Sequence, residues 1–190
     1  PINGRIEIVP NGVDTTHLRP DESAIPQPYS LIYTGAVTYN ANYDAVAYFI
    51  REILPLVRER IPQAHLTVTG GTGSVDISDL AKQPGVTFSG YLPSVAAAVQ
   101  NSWALVAPLR VGGGTRLKIL EAMALGTPVI STSKGVEGLE VTADQNVLLA
   151  DTPQAFADAT CHLLEDHALR TRLAASGRSL VETKYDWSIM

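Results

Sequence analysis

Three consecutive glycines followed by two basic residues form the stretch of this sequence best suited to chemistry. The stretch runs Pro-Leu-Arg-Val-Gly-Gly-Gly-Thr-Arg-Leu-Lys over positions 108–118, and we call residues 108–115 the glycine loop. Glycines let the backbone approach a ligand closely, and a following helix would offer free N–H groups and the positive end of its dipole. The stretch is therefore a candidate diphosphate-binding site. The residues that would bind the diphosphate are Gly112, Gly113, Gly114, Thr115, Arg116 and Lys118.

The two basic side chains, Arg116 and Lys118, are candidate catalytic groups. A guanidinium and an ammonium beside a diphosphate would stabilise the negative charge that develops when it leaves. The alternative is that the loop is a flexible connector whose basic residues are only solvated. We favour binding, because a predicted strand precedes the loop and a predicted helix follows it.

One acidic residue, Glu121, lies three positions after Lys118 and therefore on a neighbouring face of the same predicted helix. Its carboxylate could accept hydrogen bonds from the vicinal hydroxyls of a ribose. A surface ion pair with Lys118 is equally consistent with the spacing.

Short β-prone runs alternate with longer stretches of helical periodicity. The predicted strands are 31–33, 65–69, 86–89, 104–107, 129–131 and 147–149. Several of them are apolar throughout, which is typical of parallel strands covered on both faces. The pattern predicts a single doubly wound, Rossmann-like α/β domain with a parallel sheet of about six strands.

The first predicted helix starts near Asn42, which we expect to be its N-cap, with Asp44 in its first turn. Four apolar residues at spacings of three and four should form one buried stripe on it. They are Val46, Phe49, Ile53 and Val57.

Further helices are expected to cover this sheet. In the helix that opens at Thr115, Leu117, Leu120 and Ala124 should face inward, and Gly126 should end it. The other predicted helices span 93–101, 153–164 and 168–182.

In doubly wound sheets, ligands bind at the carboxyl ends of the strands. The loops that follow the predicted strands should therefore form the rim of the site. They are 35–41, 70–74, 90–94, 108–115 and 132–138.

Composition excludes several functional classes. A net charge of −5 with no basic stretch longer than a pair argues against nucleic-acid binding. No apolar run is long enough to cross a bilayer, so we expect a cytoplasmic protein. Cys161 is the only cysteine and the four histidines are scattered, so we expect no disulfide and no metal site. No Ser-His-Asp or Cys-His set can be placed on adjacent strand ends.

Six motifs carry a resemblance to a known family. They are Val-Pro-Asn-Gly-Val-Asp at 9–14, Tyr-Thr-Gly at 33–35, Phe-Ser-Gly-Tyr-Leu-Pro at 88–93, Leu-Glu-Ala-Met-Ala-Leu-Gly-Thr-Pro-Val-Ile at 120–130, Leu-Leu-Ala-Asp at 148–151 and Tyr-Asp-Trp at 185–187. Over essentially its whole length, the chain resembles the C-terminal, donor-binding domain of family 4 of the retaining glycosyltransferases. These are group 1 enzymes with a two-domain, B-type architecture.

The resemblance implies that residues 29–190 bind a nucleoside-diphosphate sugar as substrate, with no cofactor and no catalytic metal. It also implies that residues 1–28 form a leading segment and connector from a missing N-terminal domain, which holds the acceptor. By family analogy alone, the whole protein could contact a membrane peripherally.

The resemblance also assigns site residues. Glu121 matches the glutamate that binds the donor ribose, and the backbone at Tyr91 and Leu92 matches the loop that meets the base. Gly35, at the end of the first strand, and Pro93, next to that loop, complete the expected substrate-binding set.

Two departures from the family pattern affect the proposed chemistry. Gly113 replaces a glutamate that lies near the transferred sugar, and the basic residues usually found after the first-strand glycine are not present in 36–42. Our hypothesis is that Arg116 and Lys118 take over the neutralisation of the diphosphate. A non-catalytic nucleotide-binding or assembly domain would also fit these departures. Half of a nucleotide-sugar epimerase, a different enzyme class with this architecture, would keep a similar nucleotide pocket and is a second alternative.

Overall fold

Six parallel strands form one sheet in the computed structural model, which describes residues 11–114 and 116–190. The strand order is β3-β2-β1-β4-β5-β6, so the direction of winding reverses between β1 and β4. This confirms the doubly wound prediction, and no predicted strand end is wrong by more than one residue. The strands are β1 (Ser30–Thr34), β2 (His65–Thr69), β3 (Val86–Gly90), β4 (Ala104–Ala107), β5 (Val129–Ser131) and β6 (Leu148–Leu149).

Helices connect these strands and cover both faces of the sheet. They are α1 (Asn40–Tyr48), which continues through a π-helical turn (Phe49–Ile53) into α2 (Leu54–Arg60), then α3 (Ser78–Ala81), α4 (Val95–Gln100), α5 (Leu117–Ala124), α6 (Pro153–Glu165), α7 (His167–Lys184) and a 3₁₀ turn (Trp187–Ile189). The single-turn helix α3 was not predicted, because four residues cannot show a helical period.

Four of the strands, β1, β4, β5 and β6, contribute side chains to two separate cores. Leu31 and Tyr33 of β1 face the layer that contains α1, α2 and α6. Ile32, between them, faces the layer that contains α4 and α5. This alternation follows from the two-residue period of a strand, and it leaves no polar face on the central strands.

The start of α1 corrects one prediction. The helix begins at Asn40, Tyr39 occupies the cap position without a side-chain cap hydrogen bond, and Asn42 lies inside the first turn. Asp44 lies beyond that turn and binds Arg110 instead. The amide of Asn42 contacts Tyr33, which only the folded chain brings near it. The predicted buried stripe on this helical segment is confirmed.

The start of α5 corrects another prediction. Thr115 lies outside the described residues, and the helix begins at Leu117, two positions later than predicted. Leu120 and Ala124 are buried as expected, but Leu117 is 39% exposed. Leu117 is the first residue of α5, where the chain comes out of the glycine loop at the edge of the sheet, so its side chain does not reach the core. Gly126 follows the helix with φ +72°, as a C-terminal glycine should.

The leading segment packs against the end of the chain. Val13 forms a parallel bridge with Asp186, and the guanidinium of Arg178 donates to the carbonyls of Thr15 and Leu18. Residues 1–10, which include part of the 9–14 motif, lie outside the described residues.

Candidate functional site

Three glycines bring together the loops that follow β1, β2 and β3. The amide of Gly70 donates to the carbonyl of Gly90 over 2.8 Å. A Cβ on Gly70 would lie 2.7 Å from the carbonyl carbon of Gly35, and Gly35 itself has φ +136°. The predicted rim at the carboxyl ends of the strands is therefore built by close backbone contacts that larger residues would prevent.

The glycine loop is held from both sides. Arg110 donates from Nη2 to Oδ1 of Asp44 on α1 over 2.6 Å. On the other side, the hydroxyl of Thr132, which follows β5, donates to the carbonyl of Leu109 over 2.5 Å. These contacts fix the described part of the loop between α1 and β5.

The glycine triplet is not uniform. Gly112 and Gly114 have φ +100° and +85°, whereas a Cβ on Gly113 would meet nothing within 4 Å. Backbone conformation therefore favours glycine at two of the three positions. At Gly113, where the resemblance found in the sequence leads us to expect a glutamate, the loop has room for a side chain.

Arg116 is buried, and its guanidinium faces the backbone. Nη1 donates to the carbonyl of Gly113 over 3.1 Å, and Nη2 donates to Gly112 over 3.1 Å and to Lys134 over 3.4 Å. Within the described part of the chain, its Nε has no hydrogen-bond partner. Arg116 thus joins the glycine loop to the loop after β5, and its charge lies beneath the loop.

Lys118 reaches from α5 across to β1. Its ammonium donates to Oδ1 of Asn42 over 3.1 Å and lies 3.9 Å from the centroid of the Tyr33 ring. The same nitrogen is 3.1 Å from where a Cβ on Gly35 would be. Burial, followed by the nearby charge of Arg116, lowers the pKa of Lys118 to about 7.

Glu121 lies one turn after Lys118 on α5 and is partly buried. Burial raises the pKa of its carboxyl, and the positive charge of Lys118 partly opposes this shift. Its proposed contact with a ribose stays a prediction.

The residues expected to meet a base lie farther along the same edge. Tyr91, Leu92 and Pro93 directly follow β3, and Tyr91 is 84% exposed. Since β2 and β1 stand between β3 and β4, these residues are about 14 Å along the edge from the glycine loop, at three strand spacings. A ligand that contacts both regions must be extended along the edge.

Sequence reasoning missed Tyr33 and Asn42 as site residues. The structure places both beside Lys118, and the hydroxyl of Tyr33 donates to Oδ1 of Asn42 over 2.7 Å. In the sequence, Tyr33 was recognised only as part of a predicted strand and of a family motif. Asn42 was recognised only as a predicted N-cap. The available signal was a tyrosine near the end of a strand that precedes a glycine at the predicted rim.

Another cleft lies at the opposite edge of the sheet. Trp103 and Pro128 line it, and they directly precede β4 and β5, respectively. It contains none of the predicted site residues that the structure describes.

Across residues 11–114 and 116–190, no three His, Cys, Asp or Glu side chains come together as candidate metal ligands. None of the described helices combines the length and apolar character needed to cross a bilayer.

Comparison with curated proteins identifies relatives among mannosyltransferases. The phosphatidyl-myo-inositol mannosyltransferase of Mycobacterium leprae (strain TN) is 30% identical over 196 residues, which cover 96% of this chain and 50% of the relative. The GDP-mannose-dependent alpha-(1-6)-phosphatidylinositol monomannoside mannosyltransferase of Mycobacterium tuberculosis (strain CDC 1551 / Oshkosh) is 26% identical, with coverage of 97% and 53%. The chain therefore spans about half the length of these relatives.

The fold is similar to that of a solved domain and the sequence matches a family profile. The C-terminal domain of a glycosyl transferase group 1 family protein (LpcC) from Francisella tularensis superposes with a TM-score of 0.77 at 24% identity, covering 93% of this chain and 100% of that domain. The profile described as glycosyl transferases group 1 matches residues 28–166. The resemblance found in the sequence is thus confirmed: the chain belongs to the group 1 glycosyl transferases.

Proposed function

We propose that this chain is the donor-binding domain of a retaining glycosyltransferase and binds the diphosphate of a nucleotide sugar at Lys118 and the glycine loop. The acceptor would be held by a separate N-terminal domain. The observation that carries the proposal is the partly buried ammonium of Lys118, which lies at the reversal in strand order where doubly wound sheets bind ligands.

The environment of this ammonium supports an anionic ligand. Its direct contacts are an amide oxygen and a ring face. Glu121, one turn further along α5, is the carboxylate whose charge acts on Lys118, and it only partly opposes the effect of burial. A charge removed from water without an opposite charge is destabilising. The positive charge of Arg116 and the N-terminus of α5 add to the local positive potential. A diphosphate would supply the opposite charge.

This arrangement suits the chemistry of glycosyl transfer. When the bond between the sugar and the diphosphate breaks, negative charge develops on the departing oxygen. Groups that are positioned before the reaction stabilise this charge with little reorganisation. Lys118 and the loop amides would perform this role without a metal ion, with Arg116 supporting them from beneath the loop.

The relatives suggest which donor to test first. The Mycobacterium tuberculosis relative is described as GDP-mannose-dependent. We therefore propose GDP-mannose as the leading donor, with the guanine near Tyr91 and Leu92 and the ribose near Glu121.

A thermal-shift panel tests the proposal. The chain is heated with guanosine, uridine, adenosine and deoxythymidine diphosphates and with their common sugar conjugates. A ligand present at about one hundred times its dissociation constant stabilises the native state by roughly 2.7 kcal/mol, which raises the midpoint by several degrees. We expect one base to be selected and the shift to fall by about half or more in Lys118→Met, because a tenfold weaker affinity leaves roughly 1.4 kcal/mol of stabilisation. No shift with any nucleotide would contradict the proposal.

Two alternatives give different results in product assays. An epimerase would convert the donor alone into a sugar epimer. Chromatography after incubation of the whole protein with donor alone would detect this product. A nucleotide sensor would bind the nucleoside diphosphate and its sugar conjugate equally well. We expect no epimer, because a transferase also needs an acceptor. We expect the sugar conjugate to bind more tightly than the nucleoside diphosphate, because a transferase must also contact the sugar.

A further inference from the structure

Lys118 is held by residues from a different part of the fold. Its side chain begins on α5, but its ammonium lies against Tyr33 of β1 and Asn42 of α1. The strand and the two helices are joined here at the reversal of the strand order. A lysine side chain has four rotatable bonds, so such contacts restrict an otherwise mobile charge.

The amide of Asn42 is itself fixed in orientation. Its Nδ2 donates to the carbonyl of Ala36 over 2.9 Å, which directs Oδ1 toward the ammonium. Oδ1 also accepts from the hydroxyl of Tyr33 over 2.7 Å. Both polar ends of the amide are therefore used, and reversing it would place an NH₂ group against a positive charge.

We propose that Tyr33 and Asn42 are positioning residues, which hold the Lys118 ammonium against Gly35 so that it faces the diphosphate of the bound nucleotide. The inference rests on the proposed function of the site. It goes further by assigning roles to two residues that would not touch the substrate.

The β1 loop shows why this arrangement is needed. Residues 36–42 contain no lysine or arginine, so the loop brings no cation of its own to the phosphates. Gly35 leaves the space that the ammonium uses, since a Cβ there would lie 2.8 Å from Nδ2 of Asn42 and 3.1 Å from Nζ of Lys118. The ammonium of Lys118 on α5 thus supplies the positive charge that the β1 loop lacks. Its contacts with Asn42 and Tyr33 keep it there.

Three variants separate positioning from general stability. Asn42→Leu keeps the approximate volume but removes the acceptor for Lys118. Tyr33→Phe keeps the aromatic face and removes only the hydroxyl that binds Asn42. Asn42→Asp keeps an acceptor and adds a negative charge next to the ammonium. Asn101→Leu is the matched control, because Asn101 is an exposed asparagine that follows α4 and precedes β4, at the edge of the sheet opposite the site.

Two measurements are made on each variant. Calorimetry gives the affinities for GDP, UDP and inorganic pyrophosphate, which carries the diphosphate without a base. NMR of lysine-labelled protein follows the Cε resonance of Lys118 through its titration, and Lys118→Met identifies that resonance. Thermal midpoints verify that each variant is folded.

We expect Asn42→Leu to weaken the binding of nucleoside diphosphate and pyrophosphate about tenfold, which corresponds to the loss of one charge-assisted hydrogen bond. Tyr33→Phe should weaken binding less, and Asn101→Leu should leave it unchanged. Asn42→Asp should move the titration of Lys118 to higher pH, because a carboxylate favours the ammonium form.

The possible failures are distinguishable. If wild-type protein binds nucleotide and Asn42→Leu binds it equally well, with Lys118 titrating as before, the positioning inference is wrong. If no nucleotide or pyrophosphate binds the wild-type protein while the Lys118 titration responds to Asn42, the proposed function fails and only the contact between the two residues stands. If Asn42→Leu does not fold, the pyrophosphate affinity of Tyr33→Phe decides, and an affinity equal to that of the wild type would overturn the inference.

Discussion

The ammonium of Lys118 lies 3.9 Å from the centroid of the Tyr33 ring, so the charge of a residue on α5 is located at the end of β1. A lysine over an aromatic face is stabilised by the ring quadrupole, but the contact does not neutralise its charge. This relationship gives the carboxyl edge of the sheet a partly buried positive group at the reversal of the strand order.

Lys118→Met should separate stability from binding. The substitution keeps an unbranched apolar chain and removes an ammonium that is costly to bury, so the thermal midpoint should stay the same or rise. Nucleoside diphosphate affinity should fall at least about tenfold, because the charge-assisted contact is lost. Calorimetry and thermal melting measure the two effects.

Lys82→Met is the matched control, since Lys82 is exposed. It should change neither the midpoint nor the affinity. A loss of nucleotide binding in the control, or full binding in Lys118→Met, would contradict the assigned role.

Stability should depend on pH through Lys118. Burial lowers its pKa from 10.5 to about 7, so between these values the unfolded chain holds a proton that the folded chain has released. The contribution of Lys118 to folding is therefore unfavourable below about pH 7 and improves as the pH rises. The excess stability of Lys118→Met over wild type should therefore be largest below about pH 7 and shrink between about pH 7 and pH 10.5. A difference in midpoint that is constant with pH would count against the lowered pKa.

Ligand binding should show the opposite trend with pH. Only the ammonium form of Lys118 attracts a diphosphate, so affinity should fall as the pH rises above about 7. Calorimetry in buffers of different ionisation enthalpy should also detect proton uptake on binding. Lys118→Met should lose both effects, and their persistence in that variant would assign them to another group.

Arg116→Leu should destabilise the domain by roughly 2 to 4 kcal/mol, because three backbone carbonyls lose a charged donor. Denaturant unfolding measures the change. Arg51→Leu is the control, since Arg51 is exposed on the π-helical turn, and a change within about 0.5 kcal/mol is expected there. Equal stability of the two variants would show that Arg116 does not hold the loop.

The glycines of the loop should differ in tolerance. Gly112→Ala requires a Cβ at φ +100° and 3.0 Å from the Cβ of Ala41, so a loss of about 1–2 kcal/mol is expected. Gly113→Ala meets no neighbour within 4 Å and should be nearly neutral. Unfolding midpoints of the two variants test this order, and a reversed order would contradict the loop conformation.

The fold could be predicted because the signals for it are local and repeated. The strand Ala104–Ala107 is apolar throughout, and helices with buried stripes separate such strands along the chain. These two features together select a parallel sheet covered on both faces. The short helix α3 escaped prediction because one turn of helix has no measurable period.

The site was predicted less completely, because its contacts are long-range. A capping rule applied to Asn42 considers only neighbouring residues, whereas its actual partners are Tyr33 and Lys118. The charge of Arg116 was foreseen, but its donors face carbonyls of the glycine loop and of the loop after β5. Spacing along α5 gave the position of Lys118, and the direction of its side chain required the sheet order.

The most direct test of the account is a crystal structure of the chain with the nucleoside diphosphate selected by the thermal-shift panel. The account predicts that Nζ of Lys118 lies about 3 Å from a phosphate oxygen, with the diphosphate against Gly35 and the glycine loop. A nucleotide bound elsewhere, for example in the cleft beside Trp103, or a diphosphate that does not contact Lys118, would contradict it.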